Sequence, residues 1–225
     1  MLTVAVLAVA GLVRPDTAAA AGGPYVVDDA EIADPGECQI DAWASFGRSG
    51  DRILVAAPSC TFQAIPWVEF GLAVERARGD GEWATVVAPG LKTSIVPVDR
   101  FGVGIGLSAA FAYDLTDSTV DGGEGTALFT VEPTEGVLLN LNLGYKRNQI
   151  DRRHYVVWGV GGVFEPVDNV GFIAEIFGRH TGRAGYQAGI RPTLLDGQLD
   201  LDFVVGRNLT DRAATWITAG ATLRF

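Results

Sequence analysis

The last ten residues of the chain, 216–225, alternate strictly between apolar and small or polar side chains. One face carries Ile217, Ala219, Ala221, Leu223 and Phe225, and the other carries Thr218, Gly220, Thr222 and Arg224. Successive side chains point to opposite faces of a β-strand, so this two-residue period predicts a strand. A strand whose apolar face ends on a terminal aromatic residue suits a sheet that presents that face to lipid. The pattern constrains the whole fold if other segments repeat it.

Three further segments, 101–114, 137–146 and 199–207, repeat the alternation. In the first of them, Phe101, Val103, Ile105, Leu107, Phe111 and Tyr113 oppose Gly102, Gly104, Gly106, Ser108, Ala110, Ala112 and Asp114. A soluble β-sandwich also alternates, but its exposed face favours charged residues over a row of Gly, because Gly weakens a strand. Small residues are expected where strands surround a confined interior. The composition of the second face therefore favours a barrel over a sandwich.

Strand-like segments follow one another along most of the chain, and no apolar run after residue 22 reaches the roughly 18 residues of a transmembrane helix. Tight turns rich in Pro, Asp, Asn and Gly, such as 166–169, alternate with more charged connections, such as 116–125. The sequence predicts an all-β fold: an antiparallel transmembrane β-barrel of about 12 strands, residues 37–225, with short periplasmic turns and longer external loops. The predicted strands are 38–47, 52–62, 65–78, 83–96, 101–115, 126–132, 137–146, 154–165, 171–179, 185–194, 199–207 and 214–225.

The N-terminal region predicts export. Residues 1–21 combine an apolar stretch with a run of four Ala residues at 18–21, which is typical of a secretory signal peptide. A buried N-terminal helix is the alternative, but the Ala-rich sequence runs directly into Gly22-Gly23-Pro24. Residues 22–36 are polar and rich in turn formers and are predicted as a periplasmic N-terminal segment. A signal peptide followed by a barrel predicts the bacterial outer membrane as the location.

Two stretches resemble known families of outer-membrane barrels. The stretch Pro24-Tyr25-Val26-Val27-Asp28-Asp29-Ala30, followed by Pro35-Gly36, resembles the opening of the phenol-degradation meta-pathway family. That resemblance implies a barrel and the passage of small molecules, without naming a substrate. The end of the chain resembles the closing strand of bacterial outer-membrane barrels, where a terminal Phe is an assembly signal. This second resemblance implies that role for Phe225, with outer-membrane lipid and the barrel assembly machinery as partners.

The two cysteines, Cys38 and Cys60, face each other if 38–47 and 52–62 form a hairpin centred on Ser49. Directly opposed residues have Cβ atoms about 4.5–5.5 Å apart, and strand twist can close that gap for a disulfide. Export favours oxidation, and a pair of reduced thiols is the alternative. Neither cysteine has a second Cys or His at metal-ligand spacing, so we expect no metal site.

Strand parity also assigns side chains to the barrel interior. Acidic and basic residues fall on neighbouring strands, which suits either a polar solute pathway or a packed interior held by ion pairs. The sequence does not decide between these two interpretations. The predicted lumen-lining residues are Glu69, Glu75, Lys92, Asn140, Asn142, Lys146, Glu175, Arg179, Gln187, Arg191, Asp200 and Asp202.

The predicted function follows from these assignments. The two histidines, His154 and His180, fall at strand ends, and no Ser accompanies either of them as nucleophilic catalysis requires. We therefore expect no catalytic residue, no cofactor and no enzymatic activity, and the net charge of −10 argues against nucleic acid as a partner. The main hypothesis is a channel or transporter that passes small molecules, aromatic or apolar ones among them, through a narrow polar lumen. The alternative is a non-conducting structural or binding barrel of the outer membrane.

Overall fold

The computed structural model describes residues 23–48, 50–79, 81–149, 152–209 and 215–225. These residues form one closed antiparallel β-barrel, in which each strand pairs with its neighbours along the chain and β12 pairs with β1. The predicted number of strands is confirmed. The strands are β1 Cys38–Gly47, β2 Arg52–Thr61, β3 Glu69–Gly79, β4 Glu82–Val96, β5 Val103–Asp114, β6 Thr119–Thr134, β7 Val137–Asn148, β8 Arg153–Val167, β9 Val170–Arg179, β10 Gly185–Leu194, β11 Leu199–Asn208 and β12 Thr215–Arg224.

The barrel has two ends, which we name after the chain terminus. The terminal end holds Cys38 and Phe225, and the far end holds Gly47 and Thr215. A single helical turn, α1 Val98–Phe101, connects β4 to β5 at the terminal end and is followed by Gly102 in the left-handed region. Within the described ranges, no helix is long and apolar enough to cross a membrane. The predicted signal peptide, 1–21, lies outside the described residues.

The barrel is apolar outside and polar inside, the reverse of a soluble protein. On β7, Leu139, Leu141 and Leu143 are about half exposed, whereas the alternate residues Asn140 and Asn142 are buried. The same alternation follows from the pleat on every strand, because side chains of opposite parity face opposite sides of the wall. An exterior of this kind is stable where apolar side chains meet lipid rather than water.

The barrel closes where β1 meets β12, and a disulfide lies beside this seam. Cys38 and Phe225 exchange two backbone hydrogen bonds of 2.9 Å, which extend the ladder to the last residue of the chain. Cys38 is also directly opposite Cys60 on β2, and their sulfur atoms are bonded at 2.05 Å. The predicted pairing of the two cysteines is confirmed.

The connections differ from the prediction in one region. Residues 116–125 were predicted as a longer external loop, but β6 begins at Thr119, opposite Asp114 on β5. Gly122 and Gly123, which suggest a turn in the sequence, lie instead at an irregularity in the wall, where the register shifts after Ala112. Glycine is common at such bulges because it tolerates their backbone conformations, and Gly122 has φ +150°. All connections have two to seven residues, so the two ends differ less in loop length than expected.

Candidate solute pathway in the barrel interior

The predicted lumen residues all lie on the interior parity of their strands, and none of them is exposed. Their role in a solute pathway remains a prediction, but their placement shows how the interior is filled. Seven side chains are buried and five are half-buried. The buried residues are Lys92, Asn140, Asn142, Glu175, Gln187, Asp200 and Asp202, and the half-buried residues are Glu69, Glu75, Lys146, Arg179 and Arg191.

A segment outside the barrel strands, 23–34, also lies in the interior, and we call it the inner segment. The sequence predicts residues 22–36 as a periplasmic N-terminal segment, and the structure places the inner segment against the inside of the wall. Its backbone N–H groups donate to side chains of three strands: Val26 and Val27 to Glu175, Ala30 to Thr130, and Ala33 to Glu69. Ala30 is completely buried. Strand periodicity could not reveal this placement, because an extended segment without strand partners has no parity to follow.

Interior glycines make room for the inner segment. A Cβ atom on Gly159 would lie 2.6 Å from Val27 Cγ2, and one on Gly161 would lie 3.2 Å from Val27 Cβ. On β5, three strands away, a Cβ atom on Gly106 would lie 3.1 Å from the Ala30 carbonyl oxygen. The close approach of the inner segment therefore accounts for Gly106, in the row that indicated a confined interior, and for Gly159 and Gly161.

Two adjacent carboxylates of the inner segment meet one lysine of the wall. Lys92 Nζ on β4 lies 2.9 Å from Asp28 Oδ1 and 3.1 Å from Asp29 Oδ1. Lys92 and Asp28 are both buried, while Asp29 is half-buried. The prediction expected Glu69 beside Lys92, and the two residues are opposite each other in the β3–β4 register. Strand parity could not predict the closer partners, Asp28 and Asp29, because they lie outside the strands.

The β9–β12 side of the interior is packed by polar contacts. Arg191 on β10 donates to Asp202 on β11 at 2.8 Å, and its guanidinium lies over the ring of Tyr25 at 4.9 Å from the centroid. Gln187 donates to Glu175 at 2.8 Å and accepts from the Trp216 indole N–H at 3.1 Å. These polar groups have hydrogen-bond partners within the protein, as buried polar groups normally do. This part of the interior matches the interpretation of a packed barrel.

The opposite side of the interior, mainly β1 to β6, holds a cavity of about 370 Å³. Its lining includes Gln39 and Arg224 near the terminal end and Lys146 and Asn148 near the far end, so it extends along the strands from one end to the other. The inner segment forms part of one wall. Between the ends, many of the lining residues are small, which leaves the space open: Ala57, Gly71, Ala73, Ala88, Gly90, Ala110 and Ala112. The interior is thus packed on one side and open on the other.

The two histidines lie at the far end of the barrel, as predicted. The His154 ring stacks on Tyr145 with centroids 5.5 Å apart, and His180 Nδ1 accepts a hydrogen bond from the Val156 N–H. Across the part of the chain that the structure describes, no group of three His, Cys, Asp or Glu residues is placed to hold a metal ion. Tyr155 on β8 is buried, and the Arg179 guanidinium lies over its ring at 4.5 Å from the centroid.

The chain is similar to one family and to several solved barrels. Residues 8–225 match the model of the family described as "Uncharacterised conserved protein UCP029691". The comparison with curated proteins gives no match. The match does not show the resemblance to the phenol-degradation meta-pathway family, which remains a prediction from residues 24–30 and 35–36.

Among solved structures, the "KdgM porin" has a TM-score of 0.64 at 10% identity, over 83% of this chain and 99% of that chain. The Ralstonia pickettii toluene transporter TbuX has a TM-score of 0.52 at 8% identity, over 90% and 91%. The "CymD monoaromatic hydrocarbon channel" has a TM-score of 0.51 at 7% identity, over 87% and 89%. At these identities the likeness shows the fold, which is that of outer-membrane porins and channels.

Proposed function

The chain belongs to this family of uncharacterised conserved proteins, and we propose that it is an outer-membrane channel that passes small molecules through its lumen. The observation that carries the proposal is the cavity, whose lining reaches both ends of the barrel beside the inner segment. Its volume of about 370 Å³ falls within the range of small-molecule sites, about 300–1,000 Å³. The apolar exterior supports a location in the outer membrane.

The lining of the cavity favours solutes that combine a polar group with an aromatic or apolar body. Trp43 and Val55 are opposite each other on β1 and β2 and both line the cavity, so they offer an apolar surface. Carboxylates and ammonium groups elsewhere in the lining would orient a polar group as it passes. The names of TbuX and CymD, which mention toluene and monoaromatic hydrocarbons, agree with small aromatic solutes but are statements about those proteins.

The alternative function is a non-conducting structural or binding barrel. It is favoured by the inner segment, which occupies part of the lumen and bonds to several strands. The two functions differ in a measurable quantity, because only a channel conducts ions or passes solutes when it is the sole protein in a bilayer.

Conductance in planar bilayers, together with solute flux into proteoliposomes, tests the proposal. We expect discrete conductance steps from the purified barrel, and we expect Ala73→Trp to reduce them because Ala73 lines the cavity opposite Ala88. Ala174→Trp is the matched control, since Ala174 is exposed on the outer face of β9. A folded barrel that neither conducts nor passes solutes would favour the non-conducting alternative.

A further inference from the structure

The open wall of the cavity is bounded by two glutamates of one strand. Glu69 and Glu75 lie six residues apart on β3, which corresponds to about 20 Å along a strand. The interior positions between them are Gly71 and Ala73, which face Gly90 and Ala88 on β4. No long side chain therefore fills the space between the two carboxylates from these strands. Both glutamates line the cavity.

Carboxyl groups dominate the charge of this cavity. Its described lining includes eight acidic side chains and four basic ones. All four basic side chains have acidic partners. Lys92 pairs with Asp28 and Asp29, and Lys146 pairs with Glu124. Arg191 and Arg224 pair with Asp202 and Asp200, which are not in the lining. Charges in a confined interior interact more strongly than charges in water, so this excess of carboxyl groups attracts cations and repels anions.

Two buried acceptors on the same cavity lack hydrogen-bond partners among the described residues. They are Asp28 Oδ2, in a side chain that is only 7% exposed, and the Ser59 hydroxyl oxygen, opposite Gly71 on β2. Both residues line the cavity. Buried acceptors are normally satisfied, so these two leave acceptor capacity beside the cavity. Trp43 supplies an aromatic surface nearby, and indole faces attract cations.

From these observations we infer that the cavity selects small organic cations, in particular primary ammonium compounds with a short aromatic or aliphatic body. The ammonium group donates up to three hydrogen bonds to carboxylate and hydroxyl acceptors. The body lies along the wall of small residues and against Trp43. This inference rests on the proposed channel and specifies the substrate class of the same cavity.

Three probes with one aromatic body and different charge test the selection: benzylammonium, benzyl alcohol and benzoate. We expect flux into proteoliposomes to fall in that order, and we expect the reversal potential in a KCl gradient to show a preference for K⁺ over Cl⁻. Glu75→Gln and, independently, Glu69→Gln should lower the K⁺/Cl⁻ permeability ratio at least about twofold. Glu135→Gln, in the exposed turn between β6 and β7, is the matched control and should leave the ratio unchanged.

The possible outcomes separate this inference from the proposed function. A conducting barrel with no cation preference, or with equal flux of benzylammonium and benzoate, overturns the inference and leaves the channel intact. A folded barrel that conducts no ions overturns the proposed channel function. Calorimetric titration with benzylammonium then tests whether the cavity binds an organic cation without conducting it. Binding that is weakened by Glu75→Gln supports the cation site, and absence of binding overturns it.

Discussion

The Val27 side chain lies directly against the backbone of Gly159, where an added Cβ atom would stand 2.6 Å from Val27 Cγ2. The contact joins the inner segment to β8, in the wall of the barrel. Val27 and Gly159 are 132 positions apart in the chain. Interior packing tolerates little extra volume, so the inner segment can hold this position only while residue 159 stays small. The first prediction follows from this pair.

Gly159→Ala should destabilise the barrel by about 1–3 kcal/mol, because the new methyl group overlaps Val27. Val27→Ala in the same chain should restore part of that loss, since it removes the atom that is overlapped. Urea midpoints of the two single variants and the double variant give the coupling between the residues. Gly71→Ala is the control, because a Cβ atom there makes only an ordinary contact of 3.5 Å with Ser59 Cβ. Additive effects at positions 27 and 159 would show that the inner segment does not occupy this place.

Lys92→Gln should destabilise the barrel far more than a typical surface change. Lys92 lies within 3.1 Å of both Asp28 and Asp29, and its removal leaves buried carboxylates without their cation. Breaking a buried ion pair in this way costs about 3–5 kcal/mol. Lys146→Gln is the comparison, because Lys146 lies 3.7 Å from Glu124 in a more accessible pair. Loss of that pair is expected to lower the free energy of unfolding by less than about 1 kcal/mol.

Urea unfolding of both variants measures this difference. Combining Lys92→Gln with Asp28→Asn should cost less than the sum of the two single changes, because the second change removes one of the carboxylates left behind. Equal stability of the Lys92 and Lys146 variants would contradict the ion-pair cluster.

The barrel could be predicted from the sequence because each strand repeats a physical requirement, namely apolar atoms towards lipid and small or polar atoms towards the interior. Cys38 and Cys60 could be paired because a hairpin register is fixed by the position of its turn. These predictions depend only on local periodicity and on the spacing of strands. For the same reason, the parity of Lys92 could be assigned, although its partners could not.

The inner segment could not be predicted, because its place depends on contacts across the lumen rather than on a repeat. The sequence nevertheless carries a signal of this place. Gly104, Gly106, Gly159 and Gly161 fall on the interior parity of their strands, and two adjacent aspartates precede the first strand. The start of β6 was missed for a different reason: Gly122 and Gly123 indicate a turn locally, and only pairing with both neighbouring strands keeps them in the wall.

Reduction of the disulfide should lower stability without changing the fold. The bond joins residues that are 22 positions apart, and closure of a loop of this size is worth about 3 kcal/mol in the unfolded chain. The variant Cys38→Ser with Cys60→Ser should therefore unfold at a lower urea concentration and become insensitive to reductant. Identical urea midpoints of the native chain with and without reductant would contradict a stabilising role.

The orientation in the membrane should place the far end outside the cell. An epitope inserted within 115–118, between β5 and β6, should be labelled on intact cells, whereas one within 168–169, between β8 and β9, should be labelled only after lysis. Both connections join neighbouring strands outside the barrel wall, so insertion should preserve the pairing on either side. Labelling of only the second site on intact cells would invert the orientation, and labelling of neither would place both ends out of reach.

The end of the chain offers a test of what closes the barrel, because the backbone and the side chain of Phe225 have separate roles. The backbone exchanges two hydrogen bonds with Cys38 at the seam, while the side chain is 65% exposed on the outside. Deletion of Phe225 removes both contributions, whereas Phe225→Ala removes only the aromatic ring. If the ring is the assembly signal that the resemblance implies, both variants should lower the yield of folded, heat-modifiable barrel in membranes by a similar factor. If seam hydrogen bonds dominate, only the deletion should lower it. Semi-native gel electrophoresis of membrane fractions measures the yield, and normal yields of both variants would show that the terminal residue contributes to neither closure nor recognition.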